Sequence, residues 1–255
     1  SYFNADLCDT NFLNNVIMQI NPQIIVHLAA CMDKAASEKE VMAVNYQGTI
    51  NLLNALESVQ YERFIYISTS ELYFGNKTPF TEQMAITPKT AYARSKAKAE
   101  EYCLVQFNEK RKPIALIRPA IVYGPGQAGS MFIPKCIDSA LKGQEIKMTA
   151  GEQTRDFVYI DDVVEAIISA SHAPAVAGGI INLGSGIETT LKYAALKINE
   201  LAGNAASINF GALPYRENEL WHYVLDITKA KQVMGWVPMV SLEEGLKKTI
   251  DSCKF

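Results

Sequence analysis

The chain has 255 residues, 49% of them hydrophobic and 20% charged, with a formal net charge of −3. That is enough apolar material for one large core or two unequal lobes, and the charge balance offers no field for nucleic acid or an anionic membrane surface. Five scattered cysteines without a C-x-x-C pair, and three scattered histidines, read as reduced thiols of a cytoplasmic protein without a metal site. No run of 18 uncharged apolar residues and no signal-peptide layout is found, so no membrane span is expected.

In chain order, "QIIVHLAA" (23–30) is a continuous apolar run, the pattern of a strand covered on both faces. "VMAVNYQGTINLLNALESV" (41–59) has helical spacing, and "ERFIYIS" (62–68) is a second strand. Residues 87–107 open with Thr87 as a capping residue and Pro88 behind it, then continue with good helix formers. "IALIRP" (114–119) is a third strand, stopped by proline. This alternation predicts an α/β chain, a doubly wound parallel sheet with helices on both faces. Past residue 123 the pattern loosens into a Gly/Pro loop, a helix over 131–142, the strand-like "RDFVYI", a helix from Asp161 or Asp162, the strand and turn "GIINLGSG", and two closing helices. The expected division is therefore 1–123 as a Rossmann-like dinucleotide-binding domain. The smaller lobe is 124–255, with parts of 155–185 returning to the first domain. A sheet of this kind starts with a strand, a glycine-rich turn and a helix, and that unit is missing from the sequence.

The second strand ends on Thr69, Ser70 and Glu71, three polar groups where the ligand crevice of an open α/β sheet lies, outside the carboxyl ends of the strands. In the helix that follows, Tyr92 and Lys96 are four residues apart, which places them on one face, about 5–6 Å apart at Cβ. An ammonium beside a phenol favours the phenolate, and a tyrosine so tuned can take a proton from an alcohol or return it to a ketone. The spacing alone is weak: Tyr73/Lys77 and Tyr193/Lys197 repeat it. Only Tyr92/Lys96 follows a polar strand end, since Gly75 interrupts the first pair and nothing comparable precedes the last.

With these residues in view the chain resembles the extended short-chain dehydrogenase/reductase family, the NAD-dependent epimerases and dehydratases of nucleotide sugars. The likeness covers essentially the whole length, through "ADLCD" (5–9), "VHLAA" (26–30), "VNYQGT" (44–49), "STSELY" (68–73), "YARSK" (92–96), "RPAIVYGPGQ" (118–127), "TRDFVYIDDVVEAI" (154–167), "NLGSG" (182–186) and "PYRENE…GWVP" (214–238). The resemblance implies Thr69, Ser70, Glu71, Tyr92 and Lys96 as catalytic residues. It implies Asp6 and Leu7 beside the adenine, and Leu28, Ala29 and Ala30 along the cofactor. Asn45 supports the site, Pro119 approaches the nicotinamide, and Tyr92 and Lys96 also contact the cofactor, NAD or NADP. Arg155 and Arg216 would clamp the diphosphate of a nucleotide-diphosphate sugar and Glu219 would hold its ribose. Hydride transfer at sugar C4 through a 4-keto intermediate is the implied chemistry, and a homodimer joined by a four-helix bundle of the helices at 41–59 and 87–107 the implied assembly.

Glu71 resembles dehydratases and decarboxylases, whereas Ser70 stands where thymidine-sugar dehydratases carry Asp, and "YRENE" also occurs in 4-ketoreductase-like members. The alternatives are an NADPH-dependent 4-keto-sugar reductase and, because the amino-terminal glycine turn is missing, a catalytically silent sugar-nucleotide binder. "GPGQAG" (124–129) is a G-x-G-x-x-G string, but it lies beyond the Tyr/Lys helix and contains Pro125, so it is not read as the phosphate loop. Ile121 stands where relatives often carry an Asn.

Overall fold

The structure, a computed structural model, describes residues 2–254. In chain order its elements are α1 (Thr10–Ile20), β1 (Ile24–His27), α2 (Glu38–Met42), α3 (Gly48–Ala55), β2 (Arg63–Ile67), α4 (Ala91–Lys110), β3 (Ile114–Pro119), β4 (Ile121–Tyr123), α5 (Phe132–Leu141), β5 (Ile146–Met148), β6 (Thr154–Arg155), β7 (Phe157–Tyr159), α6 (Ile160–His172), β8 (Ile180–Leu183), β9 (Thr189–Thr190), α7 (Leu191–Leu201), β10 (Ile208–Phe210), α8 (Thr228–Met234) and α9 (Leu242–Ser252). The main sheet is parallel in the order β1-β2-β3-β8, the α/β arrangement that the alternating pattern predicts.

Side-chain alternation along the central strands splits the core in two. Phe64 and Tyr66 of β2, with Ile114 and Leu116 of β3, pack beneath α1, α3 and α4 through Leu13, Leu53, Ala99 and Cys103. Ile65, Ala115 and Ile117 face the other way, onto Val163, Ala166 and Ala170 of α6. Both faces of β2 and β3 are buried, which fits their richness in apolar residues around Arg63 and Arg118. A third cluster joins Ile133 and Ile137 of α5, Ala194 and Ile198 of α7, Phe157 and Tyr159 of β7, and Leu246 and Ile250 of α9.

Buried carboxylates tie the loops of the second half together. Asp156, with no exposed surface, accepts from the backbone N–H of Ser185 at 2.6 Å, Gly186 at 3.2 Å and Leu225 at 3.1 Å, and from the Ser185 hydroxyl at 2.6 Å. A Cβ at position 184 would collide with that carboxylate, so "NLGSG" needs glycine there for close approach. Asp162 holds the segment before α9, accepting from Met239 N–H at 2.8 Å and Val240 N–H at 3.1 Å, while its carbonyl accepts from Trp236 Nε1 at 2.9 Å.

The structure departs from the expected elements in four places. α4 begins at Ala91, capped by the Thr90 hydroxyl accepting from Ala93 N–H at 3.0 Å; Thr87 and Pro88 lie outside it. The helix expected over 41–59 is interrupted by a π-helical turn, Ala43–Gln47. β1 is an edge strand, with Val26 37% exposed and Leu28 63% exposed; among the described residues nothing covers its second face. α1 was not anticipated, though Asp9 caps it by accepting from Phe12 N–H at 3.0 Å, a sequence-visible signal.

His27 ends β1 inside the first core face, 3% exposed, its Nε2 2.9 Å from the Thr49 hydroxyl. Burial first, and the Lys96 charge second, hold its imidazole at about 4 rather than 6.5. Between those values the unfolded chain binds a proton that the folded chain refuses, so His27 leaves stability intact above pH 6.5 and erodes it as pH falls towards 4, by about 3 kcal/mol in full. A His27→Gln variant is expected to show a shallower loss of melting temperature between pH 7 and 4.5 than the parent chain; parallel curves would show that His27 does not carry the acid limb.

Candidate active site

The polar residues at the end of β2 have distinct jobs. Thr69 caps a 3-10 turn, Ser70–Tyr73, its hydroxyl accepting from Glu71 N–H at 3.2 Å. Ser70, expected among the catalytic group, is 1% exposed; it donates to the Pro119 carbonyl at 2.6 Å and its oxygen meets the Tyr223 hydroxyl. The turn directs this side chain inward, where it ties the ends of β2 and β3 together. Glu71 stays at the surface and accepts from the Thr90 hydroxyl at 3.4 Å. Burial of its carboxyl raises its pKa, against the opposing pull of Thr90 and Lys34.

α4 carries Tyr92 and Lys96 in its first two turns. Lys96 is 2% exposed and donates from Nζ to the Ile67 carbonyl, the last of β2, at 2.7 Å. Its Nζ is 5.9 Å from the centre of the Tyr92 ring and 4.7 Å from that of Tyr66. Burial lowers the Lys96 ammonium to about 8. Burial also pushes the Tyr92 phenol up to about 12; the Glu71 charge adds to the rise and a hydrogen bond with Thr69 works against it. In the free protein desolvation is the largest influence on this phenol, and the Lys96 ammonium is engaged by the Ile67 carbonyl.

Asn45, 1% exposed, projects from the π-helical turn. Its Oδ1 accepts from Cys31 N–H at 2.6 Å, and its Nδ2 donates to the Cys31 carbonyl at 3.0 Å and to the Ser95 hydroxyl at 2.9 Å. Ser95 in turn donates to the Tyr92 carbonyl at 2.7 Å. One amide thus clamps the loop after β1 to the helix turn that holds Tyr92 and Lys96. Sequence reasoning passed over Ser95, which sits inside "YARSK", and Thr90, whose capping position was the available signal.

The other two Tyr/Lys pairs show what the spacing leaves open. Lys197 Nζ lies 6.0 Å from the Tyr193 ring, nearly the Tyr92/Lys96 distance, yet Tyr193 donates to Glu243 at 2.7 Å and Lys197 pairs with Glu200 at 2.9 Å on an outer surface. Tyr73 is fully buried and donates to Asn182 at 2.8 Å.

Of the residues expected to line a cofactor, Leu28, Ala29, Ala30 and Pro119 lie at the carboxyl ends of strands, and Asp6 and Leu7 precede α1. Leu28 and Ala29 follow β1 and are exposed, Ala30 is half-buried, and β1 is registered beside β2 with His27 opposite Tyr66. Pro119 ends β3 opposite Leu183. Asp6 is exposed, its Oδ1 accepting from Cys8 N–H at 2.8 Å, while Leu7 packs on Gly48 and its carbonyl accepts from Asn51 Nδ2 at 2.8 Å. Arg155 and Glu219, expected to contact different parts of one ligand, form an ion pair with each other at 2.6 Å, largely buried. Arg155 Nη1 also donates to the Thr154 and Leu220 carbonyls, at 2.6 and 2.7 Å. Arg216 is exposed, its carbonyl accepting from Glu219 N–H at 3.1 Å.

A parallel sheet is thus crossed by a helix that brings a tyrosine and a buried lysine to the end of β2, beside a hydroxyl cap, and the comparisons name a class for this arrangement. Residues 1–184 match the NAD dependent epimerase/dehydratase family. The chain is 31% identical to a UDP-glucose 4-epimerase of Mycolicibacterium smegmatis, over 98% of this chain and 82% of that protein. It is 31% identical to a human dTDP-D-glucose 4,6-dehydratase, over 98% of this chain and 74% of that protein. A UDP-glucuronic acid 4-epimerase of Bacillus cereus, solved with UDP-glucuronic acid and NAD, superposes with a TM-score of 0.87 at 28% identity, over 98% of this chain and 80% of that one. The chain belongs to the NAD dependent epimerase/dehydratase family, and so to a family of nucleotide-sugar enzymes. No helix among the described residues is long and apolar enough to cross a membrane.

Replacing Asn45 by Leu leaves the part-buried Cys31 N–H and carbonyl without this partner and removes one of the two bonds of the buried Ser95 hydroxyl. Denaturant titration is expected to show a loss of about 2–4 kcal/mol; a loss below about 0.5 kcal/mol would mean that these bonds hold nothing together.

Proposed function

We propose that this protein remodels a nucleotide-diphosphate sugar by oxidation at C4, with Tyr92 as the acid/base, through a 4-keto sugar. The observation that carries the reading is the convergence of Thr69, Tyr92 and Lys96 at the carboxyl end of β2, in a chain of this family. The residues present fit a nicotinamide cofactor. An ammonium has three N–H groups; one of those on Lys96 goes to Ile67, leaving donors for ribose hydroxyls, and Leu28, Ala29 and Ala30 offer an open strand end. Asp6 and Leu7 would border the adenine and Pro119 the nicotinamide ring. When bound, the cofactor supplies hydride chemistry at C4.

The remaining work falls to the chain's own groups. Thr69 would bind the C4 oxygen and orient its proton towards Tyr92. At neutral pH the free protein holds Tyr92 as the phenol, since its pKa lies near 12, which is the form that returns a proton to a ketone. For the forward step the phenol must lose its proton, and added positive charge or a hydrogen bond to the phenolate would stabilise that form. Arg155 and Arg216 would take the diphosphate and Glu219 the nucleoside ribose; the Arg155–Glu219 pair keeps both charges satisfied until a ligand replaces one partner. Glu71 would exchange a proton with C5 or its substituents, and relatives at 31% identity include both a 4-epimerase and a 4,6-dehydratase. Residues 1–123 would serve as the dinucleotide half and 124–255 as the sugar-nucleotide lobe, with parts of 155–185 returning to the first.

A panel of UDP-, GDP-, CDP- and dTDP-sugars incubated with NAD, products followed by NMR, tests the reading. At least one sugar is expected to convert without net loss of NAD, and Tyr92→Phe to slow that conversion by about 10²–10⁴-fold while its affinity for the sugar nucleotide is kept. Unchanged turnover in the variant would refute the assignment, and stoichiometric NADPH consumption would make the protein a reductase. We further propose a homodimer built on α3 and α4, whose outer side chains include the 39%-exposed Val105. Sedimentation at micromolar concentration is expected to show a dimer, and a monomer throughout would count against it.

A further inference from the structure

Lys96 is a buried cation with too few partners. Besides Ile67, no hydrogen-bond acceptor for Nζ is found among the described residues, although an ammonium presents three donors. The nearest carboxylate on its own helix, Glu100, is taken up in a two-pronged ion pair with Arg118, at 2.9 and 2.5 Å. Cys103, one turn further along α4, is buried and held as the thiol, its pKa raised by that burial. His27, from β1, is neutral near pH 7 and is already bonded to Thr49, whose own proton goes to the Asn45 carbonyl at 2.7 Å. Tyr92 offers only its ring, at 5.9 Å.

The closest remaining group is the ring of Tyr66. It is fully buried on β2, one residue before Ile67, with Lys96 Nζ 4.7 Å from its centre and the His27 ring 5.7 Å away. We propose that Tyr66 is the positioning residue of Lys96, its π face standing in for a second acceptor so that the ammonium stays charged and fixed between the ring and the Ile67 carbonyl. A cation over an aromatic face gains most where water is excluded, and this face excludes it. The two contacts together leave the rest of the ammonium free to point elsewhere. What that orientation does for a cofactor rests on the reading above; the charge on Lys96 does not.

The test is a titration of Lys96 in the free protein, by NMR of lysine labelled with carbon-13 at Cε, the signal being identified by its loss in Lys96→Arg. Tyr66→Phe serves as the reference ring. Phenylalanines carrying one, two and three fluorines are then incorporated at position 66, which drain the π face while keeping the ring's shape. The Lys96 pKa is expected to fall stepwise along the series, by about one pH unit at three fluorines, with circular dichroism unchanged. A flat or rising series overturns the proposal. Because neither sugar nor cofactor is present, a flat series would leave the Tyr92 assignment standing, and an active Tyr92→Phe would leave the Tyr66 result standing.

Discussion

The bond from Lys96 Nζ to the Ile67 carbonyl organises the site, because it joins the last residue of a central strand to the second turn of the helix that crosses it. An ammonium so far from water is held only by fixed partners, and each of them comes from β2. The same face of α4 then reaches outward from that point. Ser95 meets Asn45, and Glu100 meets Arg118 at the end of β3. Tyr92 is therefore placed by a helix pinned at Ser95, Lys96 and Glu100 to three different elements.

The charges inside this frame are set by what surrounds them. His27 is kept neutral, Glu100 and Arg118 neutralise each other, and Asp156 is ringed by backbone N–H groups. Tyr92 and Lys96 are both shifted against their ionised forms, the first upward and the second downward. The Lys96 ammonium remains the charge of this site near pH 7, and in so dry a setting any charge that a ligand brings is felt strongly. The Arg155–Glu219 pair behaves alike in the second half of the chain: in the free protein each member is the other's counter-ion.

Much of the architecture could be read directly. Short, largely apolar segments marked β2 and β3, both of whose faces are buried, and the intervening helices implied parallel pairing. β1 has a similar run, with Val26 and Leu28 exposed among the described residues. Thr87 and Thr90 are equally good caps on paper; the chain uses Thr90. Three Tyr/Lys pairs share one spacing, and two form nearly the same local geometry.

From residue order alone came the periodicities, the polar end of β2 and the motifs that together resemble one family, since these depend only on neighbours along the chain. Tertiary structure decided the rest: which tyrosine lies against a buried lysine, that Ser70 turns inward to Pro119, and that an aromatic ring rather than a carboxylate faces the ammonium. Those outcomes depend on desolvation and on partners distant in sequence, and no local pattern encodes either.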